Sequence, residues 1–288
     1  MYGGPDATAY FVRETRKSTW FTQVPVVLTK ASGTPAFNQD WSVSISRAGD
    51  YLLHSWLRVT FPSIQLNPSY SNGAGVLRTN LTVRWTQNLM HNLIKECNIT
   101  FNDLVAARFD NYHLDSWAAF TVPASKQTGY NNMIGNTSNL TAPQNKMLAL
   151  VPPVTGAQSP DLPSVTLNLP LPFFYTRDSG VALPTAALPY NEMRLNFNFR
   201  DYTDLIILDN TFTQVSVPVT AGDLQSVPQL SQVDVWAEYA IVANVERSQM
   251  GKAPRDILIE QVQTAPKGQF NPNAVSQIDI RFSHAIKA

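Results

Sequence analysis

Four histidines, one cysteine and one serine-bearing turn are the places where this chain of 288 residues could do chemistry. The histidines are His54, His91, His113 and His284. A metal held in a β-barrel needs clustered His and carboxylate ligands. These four are scattered with no His-x-His pair, so they read as surface or satisfied core positions. Cys97 alternates with Ile99 and Phe101, which turns its thiol into a core. A reactive thiolate needs exposure and a depressed pKa instead. Asp178-Ser-Gly180 lacks the G-x-S-x-G elbow and the positioned histidine of a serine nucleophile. It reads as a turn in which Gly180 takes a positive φ. Arg13-Glu-Thr-Arg-Lys17 is the densest charge cluster. It contains an acid and is short, so it reads as a solvated arm, with contact to a membrane or an acidic partner as the sharper alternative. The sequence therefore assigns no catalytic residue, no metal ligand and no cofactor-binding residue.

Composition narrows the function further. Lys plus Arg number 21 and so do Asp plus Glu, giving zero net charge. A direct nucleic-acid binder usually carries a basic surplus. Charged residues are 15% and hydrophobic ones 44%, which is a real core under a surface of low charge density. Such a surface suits a protein covered by its neighbours, and neutrality leaves it poorly protected from self-association. A single cysteine excludes an intrachain disulfide and fits a reducing compartment. No apolar run reaches the roughly 18 residues of a membrane span, and Met1 to Ala9 has no signal-peptide pattern. Four glycosylation sequons, at Asn80, Asn98, Asn136 and Asn139, read as chance in an Asn- and Thr-rich chain.

The elements that would position any site are strands. Period-two alternation marks half-buried strands at Trp41/Val43/Ile45, Leu57/Val59/Phe61, Cys97/Ile99/Phe101 and Val165/Leu167/Leu169. It recurs at Met193/Leu195/Phe197/Phe199, at Val233/Val235/Ala237/Tyr239/Ile241 and at Ile278/Ile280/Phe282. Arg255 to Gln263 also reads as a strand. Turns are expected at Ala48-Gly-Asp50, Ser71 to Gly75, Asp178-Ser-Gly180 and Ala221-Gly-Asp223. Twenty prolines exclude a helical bundle, and nine of them fall between Pro143 and Pro189, a span of loops and strand edges. One helix is expected over 110–120, capped by Asp110 and ended by Pro123, and a second over 124–133. The long connection from Thr121 to Ser164 is of the kind that carries function. Many strands with long, uneven connections predict an all-β antiparallel sandwich, a Greek-key jelly roll more than an up-and-down barrel. Trp41 shares the apolar stripe of its strand. Trp56 and Trp236 lie opposite theirs, so they are candidates for subunit interfaces or for burial on the second face.

Several blocks carry a family resemblance. They include Met1-Tyr-Gly-Gly, Trp20-Phe-Thr22, Arg47-Ala-Gly-Asp-Tyr51, Arg84-Trp-Thr-Gln-Asn88, Asn132 to Ser138, and the stretch Leu169 to Gly180 with Leu188-Pro-Tyr-Asn-Glu192. Glu260-Gln-Val-Gln263 and Arg281-Phe-Ser-His-Ala285 complete the series. In this order they resemble the major capsid proteins of iridoviruses, within the nucleocytoplasmic large DNA viruses, across nearly the whole chain. The resemblance implies a structural, non-enzymatic protein without cofactors. Homotrimers would act as pseudo-hexagonal capsomers that build an icosahedral shell. It implies a double jelly roll in the complete protein, of which this chain would be a fragment. Residues 1–35 would be an N-terminal arm, 36–253 the first jelly-roll domain, and 254–288 a linker and the opening strands of a truncated second one. Implied partners are neighbouring capsomers, minor capsid proteins and the internal viral membrane, with no direct nucleic acid binding. Implied localisation is the virion capsid, after assembly in the host cytoplasm. The rival reading is a carbohydrate-binding jelly-roll module in host attachment, with surface Trp stacked on sugar.

Overall fold

The computed structural model describes residues 19–67, 81–144, 161–188, 190–210, 213–252, 256–264 and, towards the C-terminus, 272–273, 275, 277, 279–283 and 286. Its strands are β1 (Phe21–Val27), β2 (Thr29–Gly33), β3 (Asp40–Ser44), β4 (Tyr51–Phe61), β5 (Leu81–Trp85), β6 (Ile94–Phe101), β7 (Leu104–Phe109), β8 (Val165–Pro170), β9 (Met193–Phe199), β10 (Ile206–Asn210), β11 (Val215–Val217) and β12 (Gln232–Val242). Its helices are α1 (Leu89–Leu93), α2 (Asn111–Thr121), α3 (Ala124–Ile134), α4 (Ser138–Thr141), α5 (Tyr202–Leu205) and α6 (Asn244–Met250).

The strands form a four-stranded sheet in the order β1-β12-β4-β8 and a five-stranded sheet in the order β2-β3-β9-β6-β7. Every pairing is antiparallel. The chain alternates between the two sheets, so most neighbours in a sheet are distant in sequence. This is the jelly-roll arrangement expected from the long connections. A third sheet, β11-β10-β5, packs on the same core, with Trp85 edge-on to Phe61 at 5.5 Å.

The core is built by the alternation that the sequence displays. Leu57, Val59, Phe61, Leu169, Val235 and Tyr239 of the four-stranded sheet join Trp41, Val43, Cys97, Ile99, Leu195 and Phe197 of the other in one cluster. Each fully buried side chain of this kind contributes about 1.5–3 kcal/mol. The expected face of β12 breaks near its end. The register shifts between Glu238 and Tyr239, Ala240 becomes buried and Ile241 is only half-buried. The extra residue is Leu53 of β4, unpaired between His54 and Leu52, so that Leu52 and Leu53 are both buried.

The turn at Ala48-Gly-Asp50 shows why glycine sits there. A Cβ on Gly49 would lie 2.5 Å from Cβ of Tyr239. Asp50, next to it, is buried. It accepts from Arg247 Nε at 2.6 Å and from the Val242 amide at 2.8 Å, which ties α6 to the corner between β3 and β4.

Both expected helices are present with small shifts. Asp110 caps α2 by accepting from the His113 amide at 2.9 Å. Gly135 ends α3 at φ +82, where a Cβ would meet Leu167 at 2.5 Å. Four expectations need correction or a different boundary. Gly180 does not take positive φ; among the described glycines only Gly33 and Gly135 do. The Asp178-Ser-Gly180 turn instead runs into a 3-10 turn over Ser179–Val181, whose Val181 amide bonds back to Asp178. Residues 256–264 and 279–283 contain no strand. The apolar alternation there has no sheet neighbour among the described residues, and Gln261 Nε2 donates to the Ala106 carbonyl of β7 at 2.8 Å instead. Within the span expected as an arm, Phe21–Gly33 form β1 and β2. Pro25 masks β1 in the sequence and is tolerated there because β1 is an edge strand. The Ser71–Gly75 turn and the Arg13–Lys17 cluster lie outside the described residues.

Candidate functional site

The groups that could do chemistry are not brought together. Cys97 is fully buried, and burial pushes its thiol well above the ordinary range. Ser179 sits on an exposed turn. Among the described residues no three His, Cys, Asp or Glu side chains are grouped to hold a metal, and no helix is long and apolar enough to cross a membrane. The three described histidines have separate roles. His54 is exposed on the outer face of β4. His113 stacks on Trp117 with 6.0 Å between ring centroids. His91, 1% exposed, joins three helices, with Nδ1 2.6 Å from Asp115 Oδ1 and Nε2 2.7 Å from the Tyr130 hydroxyl. His284 lies outside the described residues.

What the fold does bring together is an apolar surface. Register places Val27 opposite Trp236, Trp236 opposite Trp56, and Trp56 opposite Pro170. These four residues form a row across all four strands, on the face turned away from the core. The two indoles stack at 6.1 Å with an interplanar angle of 8°. Trp236 Nε1 is buried and has no hydrogen-bond partner, although a buried indole N–H usually finds one. Polar residues border the row, with His54 opposite Glu238 on one side and Arg58 opposite Asp234 on the other.

The row continues into a groove of about 640 Å³ between the sheet and the helical insertion. Trp56, Pro170 and Leu171 line one wall, and Trp117, Tyr130 and Met133 the other. Arg177 closes the Trp117 side, its guanidinium 3.4 Å above the indole ring. It also approaches Glu260 at 3.5 Å, which links the 256–264 segment to α2. The sequence marks Trp56 and Trp236 but misses Val27 and Pro170, because their alignment exists only once register is set. The Arg177–Trp117 contact carries no sequence signal, because α2 and the segment after β8 meet only in the fold. The whole arrangement offers flat apolar contact with a charged rim, which is the anatomy of an interface rather than of a reaction centre.

Comparison with known proteins gives the family. A family model described as "Major capsid protein N-terminus" matches residues 9–242. The chain is 60% identical to the major capsid protein of Wiseana iridescent virus over all of its own length and 58% of that protein's. It is 52% identical to the major capsid protein of Lymphocystis disease virus 1 and 44% to that of Frog virus 3, covering 60% of each. The chain thus spans about three-fifths of the curated relatives it matches. Among solved structures, the PBCV-1 virus capsid aligns over 88% of this chain and 50% of its own, with a TM-score of 0.61 and 19% identity. The Faustovirus major capsid protein aligns over 85% and 58%, with a TM-score of 0.59 and 13% identity. At those identities the likeness is one of fold.

Proposed function

The chain belongs to the family of iridovirus major capsid proteins, whose members are structural proteins rather than enzymes, and on that premise we propose that it is a shell-building subunit of a large DNA virus. Three copies would stand side by side as a pseudo-hexagonal capsomer, and capsomers would tile the icosahedral shell of the virion after assembly in the host cytoplasm. Residues 21–252 would be the first jelly roll, and 254–288 a linker and the opening of a second. Neighbouring capsomers, minor capsid proteins and the internal membrane would be the partners.

The observation that carries this reading is the row Val27–Trp236–Trp56–Pro170 on the outer face of a jelly-roll sheet. An antiparallel sheet facing water normally presents polar residues there. Trimer faces of obligate assemblies bury more than about 2,000 Å² and are apolar. The test is the mass in solution, by mass photometry, of the protein extended to the length of its relatives. A trimer is expected. A monomer that persists at high concentration would overturn the reading. The groove favours one second reading, a carbohydrate module, because aromatic walls suit sugar stacking. Saturable binding on a glycan array by a persistent monomer would establish it.

A further inference from the structure

The stretch 256–264 has no sheet neighbour among the described residues, yet it is anchored. Ile257 packs against the core. Glu260 Oε2 lies 3.5 Å from Arg177 Nε, and the Arg177 guanidinium lies 3.4 Å over the Trp117 ring of α2. Gln261 Nε2 donates to the Ala106 carbonyl of β7 at 2.8 Å. The chain returns to the same place further on. The Ser283 amide donates to Gln263 Oε1 at 3.2 Å, and Arg281 and Phe282 share a cavity of about 440 Å³ with Val105 and Arg108 of β7. Both passages lie on the side of the sandwich that carries β7 and α2.

Large apolar side chains remain exposed on that side. Phe120, one helical turn beyond Trp117, is 88% exposed, Leu258 is 72% exposed and Leu104 of β7 is 75% exposed. One such residue is ordinary. Three, on α2, on β7 and on the segment that meets both, mark a surface to be covered. The relatives are long enough to cover it. This chain spans about 60% of them, and the family model it matches is that of the N-terminus. The other two-fifths of such a protein is enough for a domain of its own.

We propose that the outer side of α2 around Phe120, edged by Arg177 and the 256–264 segment, is the seat of the part of the protein that follows residue 288, docked within the same chain. This rests on the reading of 254–288 as the opening of a second domain. The strand-like alternation of Arg255–Gln263 then finds its sheet neighbour in that domain. Neither Phe120 nor Arg177 lines the groove that extends the tryptophan row. The α2 side is thus taken by the chain's own second domain, and the row is left for another copy. Contacts made through two different faces are head-to-tail, and head-to-tail contacts close into rings such as trimers.

The test uses the protein extended to the length of its relatives, with a photo-reactive benzophenone side chain in place of Phe120. After irradiation the products are separated on a denaturing gel and the joined peptides are mapped. The expected product keeps the mass of a single chain and joins position 120 to a residue beyond 288. A product of twice that mass, a product joining 120 only to residues up to 288, or no product overturns the proposal. Should that protein not fold, the same label at exposed Ala119 of α2 decides by the same outcomes. A label at Val27, in the tryptophan row, should instead double the chain mass. Failure at Val27 with success at Phe120 would sink the trimer face and leave this seat standing; the reverse would sink the seat alone.

Discussion

The two large sheets share one core and differ on their outer faces. The five-stranded sheet turns a satisfied polar ladder outward. Asn196 Nδ2 donates to Asn98 Oδ1 at 2.7 Å, Asn198 Nδ2 to Asp40 Oδ1 at 2.6 Å, and Arg194 pairs with Glu192 at 2.6 Å. The four-stranded sheet turns outward a stacked tryptophan pair between Val27 and Pro170. A sandwich alone in water would carry the first kind of face on both sides. The difference separates a polar outer face from one that carries an apolar row.

Substitutions can break or sharpen that contrast. The largest effect belongs to the shared core, where the sheets should not differ. Phe197→Ala should cost about 3–5 kcal/mol in chemical denaturation, and Leu57→Ala on the opposite sheet about 2–5 kcal/mol. A much smaller cost on one side would show that the sheets do not share a core. Next comes the corner that joins them. The Arg247 hydrogen bond, set against burial and helped by the Val242 amide, holds Asp50 below the ordinary carboxylate range. A carboxyl lowered by folding stabilises above its unfolded value and loses that contribution as pH falls through its folded one. Arg247→Met should therefore lower stability at neutral pH and flatten the acid-induced loss seen in the natural chain.

The outer faces themselves should respond less in folding and more in association. A Trp56→Ala/Trp236→Ala double-mutant cycle should show a coupling of about 0.5–1.5 kcal/mol, and either change should reduce self-association measured by mass photometry. The smallest effect is expected at Asn196→Ala, about 0.5 kcal/mol of stability with association unchanged. Equal loss of association from Asn196→Ala and Trp56→Ala would remove the distinction between the faces.

Much of the fold is legible in the sequence. The stripes at Leu57–Phe61, Cys97–Phe101, Val165–Leu169 and Met193–Phe199 are all strands with those residues inward. The α2 cap at Asp110 is also legible, because capping is local. Less visible are β1, interrupted by Pro25, and β5 and β10, whose runs are short. The apolar alternation after Arg255 is misleading. It has the period of a strand, but no described neighbour pairs with it, and a period alone cannot supply one.

The candidate surface divides in the same way. The sequence by itself determined which side of each strand with a clear apolar stripe faces the core, that the chain is an all-β sandwich, and that Trp56 and Trp236 point the other way. These are consequences of a two-residue repeat acting within one strand. Only the tertiary structure decided that the two tryptophans stack, that Val27 and Pro170 extend their row, that Arg177 covers Trp117, and that His91 meets Asp115 and Tyr130. Each of these depends on pairing register or on helix docking between segments far apart in the chain. Alternation within a strand sets which face a residue takes and leaves its cross-strand partner open, because a slip of two residues preserves every face and changes every neighbour.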